Sequence, residues 1–100
     1  MSAPIVVSVD ASIRDLVPLF LEQRRQDQLA LENAVEKADF MLARRAAHAM
    51  TGASASYGFD ALSALGERLS MAARAGDLAS MRQLKRELDD YLSRLVVKYL

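Results

Sequence analysis

The sequence predicts an all-α protein, an antiparallel up-down four-helix bundle with a short N-terminal extended segment and helix. Apolar residues return at steps of three and four along four successive stretches, which is the spacing of amphipathic helices. Only short connections separate these stretches, and short connections favour antiparallel neighbours. The chain has 100 residues, of which 52% are apolar, and this is enough for one modest core. We therefore expect a single domain over residues 1–100, with residues 1–12 as an extended lead-in.

The N-terminal segment combines strand-like and helix-starting signals. The run Ile5–Val9 is rich in β-branched residues, but no partner strand is evident downstream, so we expect a lone extended segment lying on the bundle. Asp10 or Ser12 can then accept hydrogen bonds from the free amides of a first helical turn. A short helix over residues 13–17 follows, and Pro18 interrupts or restarts it because proline lacks an N–H.

The first long helix is predicted from residue 19 to about residue 37. Its apolar positions recur at helical spacing: Phe20, Leu21, Leu29, Leu31, Ala34 and Val35. Its middle, residues 22–28, is strongly polar, and we expect that part of the helix to be solvated.

The second predicted helix begins after Asp39, a good N-cap, and runs to about Tyr57. Gly58 follows, where a residue that is free to take a positive φ is useful. One face of this helix is apolar apart from a serine, and it suits packing on other helices: Phe40, Ala43, Ala47, Met50, Ser54 and Tyr57.

Two further helices complete the predicted bundle. The third starts at Phe59 or Asp60 and continues to Ala75, with an inward side made of Leu62, Leu65, Leu69 and Ala72 or Ala73. Gly76 and Asp77 then end that helix and cap the last one. We expect the last helix to run from residue 78 to the C-terminus, with these residues inward: Met81, Leu84, Leu88, Tyr91, Leu92, Leu95 and Val96.

His48 is the only histidine of the chain and lies in the middle of the second predicted helix. It follows Ala47 by about 100° around the helix, so it sits at the flank of the apolar face or beyond it. The residues one turn before it and one to two turns after it share its surface, namely Arg44, Thr51, Gly52 and Ala55. No Asp or Glu occurs between Asp39 and Asp60, so this helix offers an incoming anion no carboxylate of its own.

The stretch around His48 resembles the signature of histidine-containing phosphotransfer (HPt) domains. That signature has a Lys three residues after the His, a Gly directly after the Lys, and a second Gly ten positions after the His. His48, Gly52 and Gly58 stand at those spacings. Leu62 and Leu65 follow in the register that the family favours.

The resemblance covers almost the whole chain and has one departure. Residues 18–22 resemble the first long helix of the family, and residues 72–77 resemble its link into the last helix. Thr51 stands where the family usually has Lys.

The resemblance implies a phosphorelay carrier. His48 would accept a phosphoryl group from a receiver-domain aspartyl-phosphate and pass it to another receiver. The implied partners are response-regulator receiver domains, with a hybrid histidine kinase as a further candidate. No cofactor of its own is expected, and Mg²⁺ is expected on the partner receiver. Two alternatives remain: a module that binds receivers without productive transfer, which the departure at Thr51 keeps open, and a purely structural bundle.

The neighbours of His48 allow more than one interpretation each. Arg44 or Arg45 can stabilise a phosphorylated imidazole by charge, although exposed arginines are often only solvated side chains. Thr51 offers a hydroxyl but no charge. A glycine inside a helix costs about 1 kcal/mol relative to Ala, and Gly52 lies off the apolar face, so we expect it to leave room for a partner. Ala55 belongs to the same expected partner surface.

Composition excludes several other classes of function. Thirteen basic and thirteen acidic residues balance, so there is no electrostatic case for nucleic acid as a partner. Cysteine is absent, and one histidine without a Glu-x-x-His pattern cannot supply the ligands of a metal-binding bundle. The methionines are expected to fill gaps in the core.

Targeting and catalytic motifs are also missing from the sequence. No apolar run approaches the length of a membrane span, and the N-terminus lacks the features of a signal peptide, so we expect no membrane partner and a cytoplasmic location. There is no phosphate-binding loop and no kinase motif. We therefore expect a phosphoryl carrier rather than an autonomous enzyme.

Overall fold

The computed structural model describes residues 3–100, and Met1 and Ser2 of the predicted lead-in lie outside the described residues. The elements in chain order are strand β1 (Ile5–Val9), a 3₁₀ helix (Ala11–Leu16), α1 (Val17–Lys37), α2 (Phe40–Ser56), α3 (Asp60–Arg74), α4 (Leu78–Arg94) and strand β2 (Leu95–Tyr99). The four predicted helices are thus present. Within residues 3–100, none of them is both long and apolar enough to cross a bilayer.

The predicted N-terminal cap and proline are used, but the short helix is a 3₁₀ helix over Ala11–Leu16 rather than residues 13–17, and α1 begins at Val17 rather than residue 19. Asp10, rather than Ser12, caps the short helix, because its carboxylate accepts a hydrogen bond from the Ser12 backbone N–H at 2.8 Å. This bond holds the pKa of the Asp10 carboxyl below its usual value. Pro18 lies in the first turn of α1, where its missing N–H costs nothing.

The boundaries of the later helices also follow from local signals. Asp39 caps α2 by accepting a hydrogen bond from the Leu42 N–H at 3.0 Å, and Asp77 caps α4 in the same way. Gly58 and Gly76 have φ values of 84° and 65°. Both glycines therefore occupy the left-handed region that residues with a Cβ avoid.

The C-terminal segment differs from the prediction. The last helix ends at Arg94, and Leu95–Tyr99 forms β2, which pairs in parallel with β1. The N-terminal segment is therefore not a lone extended segment. The reason is the pairing with β1, which gives the segment the alternation of a strand: residues 95, 97 and 99 are half-buried, whereas Val96, predicted to face inward, is 42% exposed. That alternation, with the β-branched Val96 and Val97, fits a strand better than another helical turn.

The middle of α1 is a second difference. Residues 22–28 are polar, but Arg24 is only 4% exposed. Its guanidinium donates to Asp27 at 2.7 Å and lies over the ring of Phe20, 5.1 Å from the centroid. Burial raises the pKa of the Asp27 carboxyl, and the neighbouring Arg24 partly offsets this rise. Conversely Leu29, predicted as an apolar position of α1, is exposed.

The core joins all four helices. Each helix packs on the next one in the chain, and α1 also packs on α4. The ring of Phe20 in α1 stacks on Tyr57 and Phe59, with centroids 4.6 and 4.8 Å away. These two rings belong to the turn between α2 and α3, so the stack fixes that turn against α1.

Candidate functional site

The site is built on the side of α2 that faces away from the core. The apolar face of α2 is buried or half-buried as predicted, and Ala43, Ala47, Met50 and Ser54 are its most buried members. His48 is exposed, which agrees with its predicted place off that face. The imidazole is therefore accessible to another molecule while the helix that carries it is held by its opposite side.

Two hollows flank His48 between α2 and α3. One is lined from α2 by Met41, Arg44, Arg45, His48 and Ala49 and from α3 by Ser70 and Arg74. The other is lined by His48, Thr51, Glu67, Ser70, Met71 and Arg74. His48, Ser70 and Arg74 border both hollows, so these three residues form the centre of the surface.

The charges around His48 are mostly positive. Arg44, Arg45 and Arg74 are exposed, and within residues 3–100 none of them forms an ion pair. Among the described residues, Glu67 is the one carboxylate that lines either hollow. Unpaired guanidinium groups beside an imidazole are suited to holding a phosphoryl group, because arginine forms charge-assisted hydrogen bonds with phosphate oxygens.

Gly52 leaves the surface after His48 open. It is exposed, and a Cβ placed on it would meet no atom within 4 Å. Close packing of another helix is therefore not the reason for this glycine. Ala55, one turn further, is also exposed but lines neither hollow.

Thr51 is directed toward α3 rather than outward. Its hydroxyl donates a hydrogen bond to the carbonyl of Ala47 at 2.9 Å, and its own carbonyl accepts one from the Ser63 hydroxyl at 3.0 Å. A Cβ placed on Gly66 of α3 would collide with the Thr51 hydroxyl and would press on the backbone of α2. Gly66 is thus the glycine that lets α2 and α3 approach closely.

The sequence prediction did not include the contribution of α3. Ser70 and Arg74 lie beside His48 because α3 packs along α2, and no spacing within α2 reveals them. Two methionines also differ from expectation: Met41 and Met71 are 64% and 68% exposed and line the hollows, whereas Met50 and Met81 fill the core. The sequence holds one signal for this contribution. Gly66 and Arg74 are eight residues apart in α3, a spacing that places both residues on a similar side of the helix.

The fold and the site define a small helical domain with a single accessible histidine in an arginine-rich surface. The Hpt domain family matches this chain over residues 15–97, and the chain belongs to that family. Hpt domains are phosphocarriers of two-component phosphorelays rather than enzymes in their own right. No curated protein matches the chain. No solved structure matches it either.

Proposed function

We propose that the protein is a phosphorelay carrier in which His48 accepts a phosphoryl group from a receiver-domain aspartyl-phosphate and passes it to a second receiver. The observation that carries this proposal is the environment of the only histidine of the chain. His48 is exposed, bordered by unpaired arginines, and followed one turn later by a glycine with open space around it. The proposal includes the antiparallel up-down course of the helices that the short connections predict.

The transfer is an in-line displacement at phosphorus. A neutral nitrogen of His48 attacks, an N–P bond forms, and the P–O bond to the receiver aspartate breaks, so the carboxylate of that aspartate is the leaving group. The second transfer runs in the opposite direction, onto the aspartate of another receiver. Such reactions depend on positioning and on stabilisation of the charge of the phosphoryl oxygens.

The chain's own contribution to charge stabilisation comes from two helices. Arg44 and Arg45 lie on α2 one turn before His48, and Arg74 reaches the same hollow from α3. The Thr51 hydroxyl is engaged with the Ala47 carbonyl, so we assign it no direct contact with phosphate. Arg74 of α3 therefore supplies a positive charge in place of the lysine that the family usually has at the position of Thr51.

The partners are response-regulator receiver domains, with a hybrid histidine kinase as a further candidate donor, and the location is the cytoplasm. We expect the receiver to supply Mg²⁺ and the carboxylates that hold it, and the carrier to need no cofactor of its own. The carrier contributes the nucleophile, the arginines and an open docking surface around Gly52.

A receiver-binding module without productive transfer is the second candidate function. It is favoured by the orientation of Thr51, because neither a lysine nor a free hydroxyl stands at that position. In such a protein the arginines would bind a receiver and His48 would stay unmodified.

Transfer from charged receivers decides between the two functions. Purified receivers are charged with acetyl phosphate and mixed with the protein and, in parallel, with His48→Gln. We expect an acid-labile, base-stable phosphate on the wild-type protein only. Receiver binding without any such label would establish the module, and label on His48→Gln would show that another residue is the acceptor.

A further inference from the structure

The two-stranded sheet has an open edge on β1. Ile5 pairs with Leu95 and Val9 with Tyr99 in a parallel register. The Leu100 N–H donates to the Val9 carbonyl at 2.9 Å, and the Ala11 N–H donates to the Leu100 carbonyl at 3.1 Å. In a parallel ladder, alternate residues direct both backbone groups toward the same neighbour. Residues 5, 7 and 9 therefore bond to β2, and residues 6 and 8 point to the other side.

The backbone N–H and C=O groups of Val6 and Ser8 at that edge have no hydrogen-bond partner within the described chain. No backbone hydrogen bond from another element of residues 3–100 reaches Val6 or Ser8. Both side chains are exposed, Val6 by 49%. Two N–H groups and two carbonyls in a row thus remain available for a further strand.

β1 also lacks the devices that protect natural edge strands. Residues 5–9 contain no charge and no proline, and the register of β1 on β2 shows no bulge. β2 differs, because it follows Arg94 and carries the exposed Lys98. Lysine on an edge strand is a common defence against pairing, so the two edges of this sheet are not equivalent.

We propose that a second copy of this chain pairs through β1, in antiparallel orientation about a two-fold axis at Val7. In that register Val6 lies opposite Ser8 of the partner subunit, and Ser8 lies opposite Val6 of the partner subunit. Each of these pairs exchanges two hydrogen bonds, so all four open groups of each edge are used. The result is a four-stranded sheet with the two β1 strands at its centre.

The surface next to β1 is mixed in character. A hollow beside Ile5 is lined from α3 by Ala61, Ala64, Leu65 and Arg68 and from α4 by Glu87, Asp90, Tyr91 and Arg94. The formal net charge of the chain is zero, so two copies meet without net repulsion. A two-fold pairing of edges is also self-complementary, because each copy presents the same donors and acceptors. This inference is independent of phosphotransfer.

A matched pair of lysine substitutions tests the edge. Val6 and Val96 are neighbours in register, are exposed to similar extents and lie on the same face of the sheet. In the proposed dimer, the two copies of residue 6 are diagonal neighbours across the axis, so lysines there repel. By sedimentation equilibrium, we expect Val6→Lys to raise the dimer dissociation constant at least about tenfold and Val96→Lys to change it less than about twofold.

Two results would overturn the proposed dimer. A wild-type protein that stays monomeric up to about 1 mM overturns the proposal, since weaker pairing than this has no meaning as an interface. Equal weakening by both lysines, with helical circular dichroism unchanged, places the contact elsewhere and also overturns it.

Disulfide trapping tests the register, and the absence of cysteine from the chain makes the readout clean. Val6→Cys and Ser8→Cys proteins are oxidised separately and as a mixture. Opposite positions of an antiparallel pair lie about 5.5 Å apart between Cα atoms, which is within the range of disulfides. We expect the mixed dimer to predominate. Preferential trapping of either variant with itself, or no trapping at all, contradicts the proposed pairing.

Discussion

Two glycines inside helices, Gly52 of α2 and Gly66 of α3, have opposite surroundings. On the side toward α3, Gly66 lies against Thr51 so closely that a methyl group would collide with it. On the outer side, Gly52 follows His48 by one turn and has open space around it. Both glycines are inside helices, where glycine is unfavourable by about 1 kcal/mol relative to alanine.

The difference teaches that the same unfavourable helix propensity has two different explanations. At Gly66 the propensity loss is offset within the folded chain, because the absence of a Cβ lets α3 pack closely on α2. At Gly52 nothing within the described chain offsets it. A role toward another molecule is therefore the explanation that we propose for Gly52. Substitutions on the two sides should accordingly separate stability from transfer.

The largest expected effect is on transfer, at the outer side. His48→Gln should abolish phosphate acceptance from charged receivers, because the amide is not a competent nucleophile. The melting temperature should barely change, since the ring is exposed. Autoradiography of the transferred label and thermal unfolding by circular dichroism measure the two quantities. A variant that unfolds would show that His48 belongs to the packed side after all.

The next effect is on stability, at the inner side. Gly66→Ala should lower the free energy of unfolding by about 1–2 kcal/mol, because the collision with Thr51 outweighs the better helix propensity of alanine. Denaturant unfolding measures this change. Thr51→Ala in the same chain should restore part of the loss, because the backbone of α2 stays in close contact with residue 66. A stabilised Gly66→Ala would mean that the two helices are free to separate.

The third expected effect comes from substitutions of Gly52, which should raise the stability of the protein but lower the rate of phosphotransfer. Gly52→Ala should stabilise the protein by up to about 1 kcal/mol, since a Cβ there meets nothing. Transfer should fall as the side chain at residue 52 grows from Ala to Leu. Ala79→Leu on the exposed start of α4 is the control for added bulk away from the site. Wild-type transfer rates in Gly52→Leu would remove the docking role of Gly52.

The smallest expected effects are on the transfer rate and come from changes of side-chain charge around His48. Thr51→Lys should raise the single-turnover transfer rate by no more than about threefold, because residue 51 is half-buried against Gly66 of α3 and because water and salt weaken a charge that reaches the hollow. Arg44→Ala combined with Arg45→Ala should lower the rate more than either change alone, and Arg74→Ala should lower it as well. If only Thr51→Lys transfers phosphate, the natural protein is the receiver-binding module.

Local signals account for most of what the sequence predicts correctly. Asp39 and Asp77 cap helices, Gly58 and Gly76 end them, and the apolar periodicity of α2 places His48 outside the core. Each of these features depends on residues within a few positions of one another. A single sequence therefore contains the signals for them.

The features that escaped prediction depend on contacts between distant parts of the chain. Residues 95 and 96 continue the apolar spacing of α4, and only the ladder with β1 makes them a strand. Arg24 is an exception, because Phe20 and Asp27, which contact its guanidinium, lie within four residues of it in the same helix. Arg74 reaches the candidate site because Gly66 brings α3 close to α2.

The pairing of β1 with β2 also shapes how the chain folds. It joins residues 5–9 to residues 95–99, so its formation closes a loop of about 90 residues, while the helices form from local contacts. The ribbon should therefore assemble late. The amide hydrogens of Val7 and Val9, which point toward β2, can exchange with water only when β1 separates from β2. Their exchange rates would report on the separation of these two strands.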